Sequence, residues 1–171
     1  MAETVNAIKD RLRMRAAHSM ALSSSCLRRK VGAIIVDPEG VTLGMGKNDT
    51  MGNFARCGDG GCPECAKAVV GSASCLCVHA EQRAIGWAAE LGFALRGATM
   101  YVTLVPCPMC AKQIVACGIK RVAFDGRYEG DGLARGILQA GGVVLWPMET
   151  EAEKALPARR GWPGHPFYWE G

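Results

Sequence analysis

Apolar residues recur along the chain with two periods, and the places where the period changes outline its elements. Val5, Ile8, Leu12, Ala16 and Met20 stand at helical spacing within residues 4–25, which predicts an amphipathic first helix. The segments 31-VGAIIV-36 and 41-VTLGMG-46, joined by the turn DPEG, read as a β-hairpin. From Asn48 to Val78 the periodicity is lost in a glycine- and cysteine-rich insertion. A loop of that length inside a compact domain needs a function or a cross-link, and its cysteines offer the cross-link. Helical spacing returns from His79 to about Phe93, with Ala80, Ala84, Ala88 and Leu91 on one stripe. Then follow a strand at 98-ATMYVTL-104, a helix at 108-PMCAKQIVAC-117 with proline in its first turn, and a strand at 121-RVAFD-125. A helix at 131-DGLARGILQA-140, stopped by Gly141 and Gly142, and a strand at 143-VVLW-146 complete the pattern. Strands alternating with helices predict an α/β fold: a mixed five-stranded sheet covered by helices on both faces. Residues 1–171 read as a single domain without repeats or linkers, and 148–171 as an irregular, Pro- and Gly-rich tail.

Composition narrows the class without fixing the function. Apolar residues at 49% and charged residues at 21% are ordinary for a soluble globular chain of 171 residues. No apolar run approaches the roughly 20 residues of a membrane span, and the amino terminus lacks a signal peptide's apolar block. The expectation is a cytoplasmic protein with no membrane partner. There, nine cysteines point to metal ligation rather than disulfides. A net charge of +4 with dispersed basic residues, no basic run beyond Arg28-Arg29-Lys30 and 6% aromatic residues argues against a nucleic-acid partner.

The chemistry concentrates in 79-HAEQRAI-85 and 104-LVPCPMCAKQI-114. His79, Cys107 and Cys110 supply one imidazole and two thiolates, a natural set for zinc, and three protein ligands leave a fourth position open as at catalytic sites. Glu81 lies two residues past His79, within reach of a water at that position without being a ligand. Zinc lowers the pKa of bound water, and a carboxylate can carry its proton to a leaving group. Cys107 and Cys110 fall where a strand ends and a helix begins, where unpaired amides and the helix dipole favour thiolates. Cys-x-x-Cys alone also fits a redox pair or half a zinc finger, so the joint pattern carries the signal. Cys117, on the apolar face of its helix, reads as core.

With those residues in place, the chain resembles the cytidine and deoxycytidylate deaminase superfamily, closest to the dCMP deaminases. His-x-Glu followed by Pro-Cys-x-x-Cys is the signature of zinc-dependent nucleobase deaminases. The likeness runs from about Ser24 to Trp146, through 26-CLRRKVGAIIV-36, 44-GMGKN-48, 79-HAEQRAI-85, 98-ATMYVTLVPCPMCAKQIVACGIKRV-122 and 128-Y…GILQAGGVV-144. It implies the three-layer α/β/α cytidine-deaminase-like fold and hydrolytic deamination of dCMP to dUMP and ammonia at ring carbon C4. Catalytic zinc would sit on His79, Cys107 and Cys110, with Glu81 as proton shuttle. Asn48 would contact the nucleotide sugar, Tyr128 would lie near the nucleotide, and backbone groups of Ala80 and Thr103 to Pro106 would hold the base. Such enzymes are usually homo-oligomers, often hexamers, and many respond to dCTP and dTTP. The family's Gly-Tyr-Asn-Gly loop is Gly46-Lys47-Asn48-Asp49 here, and Arg83 stands where the family has asparagine. An arginine there is either a bidentate phosphate ligand or an exposed helix residue.

A second cysteine group comprises Cys57, Cys62, Cys65, Cys75 and Cys77, with Cys26 before the first strand. The resemblance implies a structural zinc on Cys26, Cys57, Cys62 and Cys75. The spacing equally allows Cys62, Cys65, Cys75 and Cys77, two close pairs as in zinc ribbons. Competing functions are deamination of another small base or modified nucleotide (cytosine, a purine, a riboflavin precursor), nucleic-acid editing, and a non-catalytic zinc-bound module. An intact Glu81 argues against the last, because a purely structural site has no use for that carboxylate.

Overall fold

The computed structural model describes residues 5–66 and 75–148. Strands β1 (Gly32–Val36) and β2 (Thr42–Lys47) form the expected hairpin. The Asp37 carboxylate accepts the amides of Gly40 and Val41, each at 2.7 Å, and closes the turn. Beyond the insertion come α3 (Ala80–Glu90), β3 (Thr99–Leu104), α4 (Pro108–Ala116), β4 (Arg121–Gly126), α5 (Gly132–Ala140) and β5 (Val144–Pro147). The sheet order is β2-β1-β3-β4-β5. β1 runs antiparallel to both neighbours, while β3, β4 and β5 are mutually parallel, as crossover connections through α4 and α5 require. The sheet is mixed and five-stranded, as the alternation predicts. Among the described residues, no helix is long and apolar enough to cross a membrane.

Strand alternation sorts the core into two layers. Ala33, Ile35, Met100, Val102, Val122 and Phe124 face α3, α4 and α5. Ile34, Val36, Tyr101 and Ala123 face α1 (Val5–Leu22), meeting its Met14 and Ala17. The first helix forms where periodicity places it, but it turns the other way. Val5, Ile8 and Leu12 are 67%, 42% and 58% exposed, and the buried positions are Met14, Ala17 and Ala21. Close approach explains the rotation: a Cβ on Gly32 would lie 2.0 Å from the Ala17 carbonyl oxygen, so only small residues fit this seam. Asp10, on the same inward side, pairs with Arg121 at 2.6 Å. Leu91 likewise leaves its expected stripe; it follows the last turn of α3 and is exposed.

The insertion contains a 3-10 turn at Cys57–Asp59 and a single helical turn, α2 (Pro63–Ala66). The expected tail at 148–171 lies outside the described residues apart from Met148, which packs against the α1-side core.

Candidate metal centre and active site

Two helix openings converge on one point. His79 is the N-cap of α3 and Cys107 the N-cap of α4, both with extended backbone (φ −70, ψ 156 and φ −73, ψ 167). Pro108 pre-sets the first turn of α4, and Cys110 lies one turn in, fully buried. This brings the His79 Nδ1 to 3.4 Å from the sulfurs of both Cys107 and Cys110. Tetrahedral zinc with bonds of about 2.0 Å to nitrogen and 2.3 Å to sulfur separates such ligands by roughly 3.5 Å, so the donor set and its spacing fit that ion.

The placement of α3 has a simple steric origin. A Cβ on Gly44 would come within 2.2 Å of the Ala84 carbonyl oxygen, and one on Gly46 within 2.3 Å of that of Ala80. Helix and strand therefore touch backbone to backbone along Gly44, Gly46, Ala80 and Ala84. Gln82 fixes the entry to the helix by accepting the His79 amide at 2.9 Å, a contact that the capping-box spacing of positions 79 and 82 encodes. Sequence reasoning passed over it.

Electrostatics set the proton inventory of the site. Glu81 is 4% exposed, and burial pushes its carboxyl up to about 7, against the opposing attraction of His79. A hydrogen bond from Cys110, with the imidazole beside it, pulls the Cys107 thiol down to about 4 despite burial. The reciprocal contact with Cys107 holds the His79 imidazole above its ordinary value. Cys110, buried and beside that thiolate, is pushed the other way. Such a site can hold a cation on its soft donors and a proton on Glu81 at neutral pH.

The remaining expected residues surround this centre in different ways. Tyr128 donates to the Pro106 carbonyl at 3.2 Å, and the Arg29 guanidinium lies 5.7 Å from its ring. Burial, then the charges of Cys107 and Asp131, push its hydroxyl well above the usual tyrosine value. Ala80 is fully buried against β2. Thr103 accepts the Gly32 amide through its hydroxyl at 3.2 Å. Asn48 is buried and bound within the fold: its Oδ1 accepts from Val31 N (2.7 Å) and Ser24 Oγ (2.9 Å), and its Nδ2 donates to the Arg29 carbonyl (2.6 Å). Arg83 is half-buried and donates to the carbonyls of Thr50 (2.6 Å) and Asp49 (3.4 Å). It is thus not an exposed helix arginine, and its buried Nε has no partner among the described residues. Cys117 packs against the main core from the end of α4.

The second group also gathers. Sulfurs of Cys26, Cys57, Cys65 and Cys77 lie within 4.8 Å of one another, as do those of Cys62, Cys65, Cys75 and Cys77. The set Cys26, Cys57, Cys62 and Cys75 implied by the resemblance is not one of these groups.

An imidazole and two thiolates at converging helix openings, with a buried carboxylate one step inside, are the layout of the zinc deaminase class. Residues 7–125 match the family described as the cytidine and deoxycytidylate deaminase zinc-binding region, and the chain belongs to that family. It is 35% identical over 137 residues to the deoxycytidylate deaminase of Schizosaccharomyces pombe, covering 77% of this chain and 41% of that protein. With ComE operon protein 2 of Bacillus subtilis it shares 32% identity over 142 residues, 81% of this chain and 70% of the other. The dCMP deaminase of cyanophage S-TIM5, solved with dCMP and dUMP, superposes with a TM-score of 0.68 at 30% identity, covering 86% of this chain and all of that one. The chain thus spans about two fifths of the fission-yeast relative but the full length of the phage enzyme.

Proposed function

We propose that this chain is a zinc-dependent nucleotide deaminase that converts dCMP to dUMP and ammonia. The observation that carries the reading is the placement of the buried Glu81 carboxyl at the opening of α3, beside His79, whose Nδ1 lies 3.4 Å from the sulfurs of both Cys107 and Cys110. These three would hold zinc, which when bound lowers the pKa of a coordinated water toward neutrality. Glu81 would act as the proton carrier: its carboxylate takes a proton from the attacking water and delivers it to ring nitrogen N3. It then takes the proton of the hydroxyl newly bonded to C4 and delivers it to the amine as the C4–N bond breaks. The backbone at Ala80 and from Thr103 to Pro106 holds the base, and Tyr128 borders the nucleotide. Asn48 acts on the sugar side by holding the 24–31 connector in place. A second zinc in the cysteine-rich insertion, a homo-oligomeric form and response to dCTP and dTTP complete the reading. The exposed Val5, Ile8 and Leu12 stripe on α1 offers an apolar surface for assembly.

The test is ammonia release across dCMP, CMP, deoxycytidine, cytosine and dCTP, with zinc measured on the same preparation. Turnover confined to dCMP is expected. Turnover of another member would keep the chemistry and move the substrate, while zinc without turnover of any would overturn the reading.

A further inference from the structure

Apart from Cys107 and Cys110 in the catalytic centre and Cys117 against the main core, the six remaining cysteines come from separate stretches: Cys26 before β1, Cys57 in the 3-10 turn, Cys62 and Cys65 around α2, and Cys75 and Cys77 before α3. They form a core cluster that contains no aliphatic or aromatic residue among the described ones. Their two groups of four share two members, Cys65 and Cys77, whose sulfurs are 3.6 Å apart. Around that shared edge, Cys65 and Cys75 are separated by 3.5 Å, Cys62 and Cys75 by 3.6 Å, and Cys26 and Cys65 by 4.0 Å. Four sulfurs bound to one zinc at about 2.3 Å define a tetrahedron with edges of about 3.8 Å. Six sulfurs in two such groups with two in common have the connectivity of two tetrahedra joined along an edge.

We propose that these six cysteines hold two zinc ions in one binuclear cluster, with Cys65 and Cys77 each bridging both ions and Cys26, Cys57, Cys62 and Cys75 each binding one. The proposal deepens the structural-zinc part of the functional reading. A single ion in either group would strand two thiols: Cys62 and Cys75, or Cys26 and Cys57. Cys57 and Cys62 are both 0% exposed, so either choice leaves a buried thiol packed on thiolates. The second ion removes that conflict without adding charge. One zinc with four thiolates and two zincs with six both carry minus two, and metal binding ionises cysteines outright. Backbone amides share that charge: those of Arg28 and Arg29 bond the Cys26 sulfur, and those of Cys65 and Leu76 bond Cys62. Such bonds to ligand sulfurs orient and stabilise a metal site.

The cluster also reaches the catalytic centre through the chain. Cys77 is two residues before His79, and Val78 between them exchanges backbone hydrogen bonds with Asp49 at 2.9 and 3.2 Å. A rigid cluster at Cys77 therefore fixes the approach of the chain into α3.

Native mass spectrometry of the full chain, produced in zinc-supplemented medium, counts the ions, with Cys110→Ala as companion. Three zincs in the wild type and two in Cys110→Ala are expected. Two and one would leave a single ion among the six cysteines and overturn the proposal. One and none would also overturn it while sparing the catalytic reading. Two in both, with Cys65 and Cys77 each coupled to two metals on cadmium-113 substitution, would support the cluster and remove the catalytic zinc instead; two in both without those couplings would overturn the cluster. Cadmium-113 substitution of the wild type then reads the bridges without relying on any variant. The β-protons of Cys65 and Cys77 should each couple to two cadmium nuclei, and those of the other four to one. Coupling of every cysteine to a single cadmium would overturn the bridged arrangement.

Discussion

The two cysteine-bearing regions of this molecule are built on opposite principles. His79, Cys107 and Cys110 hang from two helix openings, each set by a strand beside it, and the scaffold would stand without any metal. Among its described residues, the six-cysteine region has a 3-10 turn, one helical turn, and a buried interior made of sulfur alone. In the first the fold places the ligands; in the second the ligands take the place of the fold. Metal loss should therefore cost activity at one centre and structure at the other.

Paired cysteine removals test that contrast most directly and carry the largest effects. Cys110→Ala is expected to abolish turnover and release the catalytic zinc, with only a modest fall in melting temperature. Cys57→Ala should cost more than about 4 kcal/mol of stability, the scale of losing a structural metal. Equal effects of the two variants on thermal unfolding would break the comparison. Next in size, Glu81→Gln should keep its zinc and its fold yet lose about 10³-fold in turnover, within the range of a lost acid–base group. Near-native turnover by that variant would remove Glu81 from the proton path.

The same contrast explains what the sequence makes legible. Helix openings have fixed local geometry, so His79-x-Glu81 and Cys107-x-x-Cys110 announce their placement through spacing alone, and the alternating strands announce the sheet. The insertion has no period to read. Six cysteines offer several sets of four, and only three-dimensional proximity shows two groups sharing Cys65 and Cys77. The face of α1 was hidden for a related reason. Apolar spacing favours Val5, Ile8 and Leu12, but contact with Gly32 selects the small residues Ala17 and Ala21, a decision made by backbone distance. Arg83 is similar: its partners are carbonyls of Asp49 and Thr50, which no side-chain pattern reveals.

Gly46→Ala sharpens the comparison at intermediate size. The added methyl meets the Ala80 carbonyl oxygen at 2.3 Å and the Ala84 amide nitrogen at 2.7 Å, so α3 must shift outward. Overpacking of this kind typically costs about 1–3 kcal/mol. The expected signature is a fall in turnover larger than the fall in stability predicts, because the shift moves His79 and Glu81 together. Zinc bound by the six-cysteine region should be unchanged. Loss of that zinc would show that the two centres share one scaffold.

The smallest effect belongs to the face remote from both centres. Burial raises the Asp10 carboxyl, but the hydrogen bond from Arg121, that of Tyr101 and the Arg121 and Arg13 charges outweigh it and hold it below its ordinary value. A carboxyl depressed in the folded state contributes stability above its unfolded pKa, and that contribution fades as pH falls through the folded value. Asp10→Asn should therefore lower stability by about 2 kcal/mol at pH 7, the scale of a hydrogen bond to a charged group. The gap to wild type should stay level down to about pH 4, the unfolded value, and then close on further acidification. Because the measurement is a difference between two proteins with identical cysteines, acid release of zinc cancels from it. A gap that held constant to pH 2, or that widened, would show that Asp10 is not charged in the folded protein as its pairing with Arg121 at 2.6 Å requires.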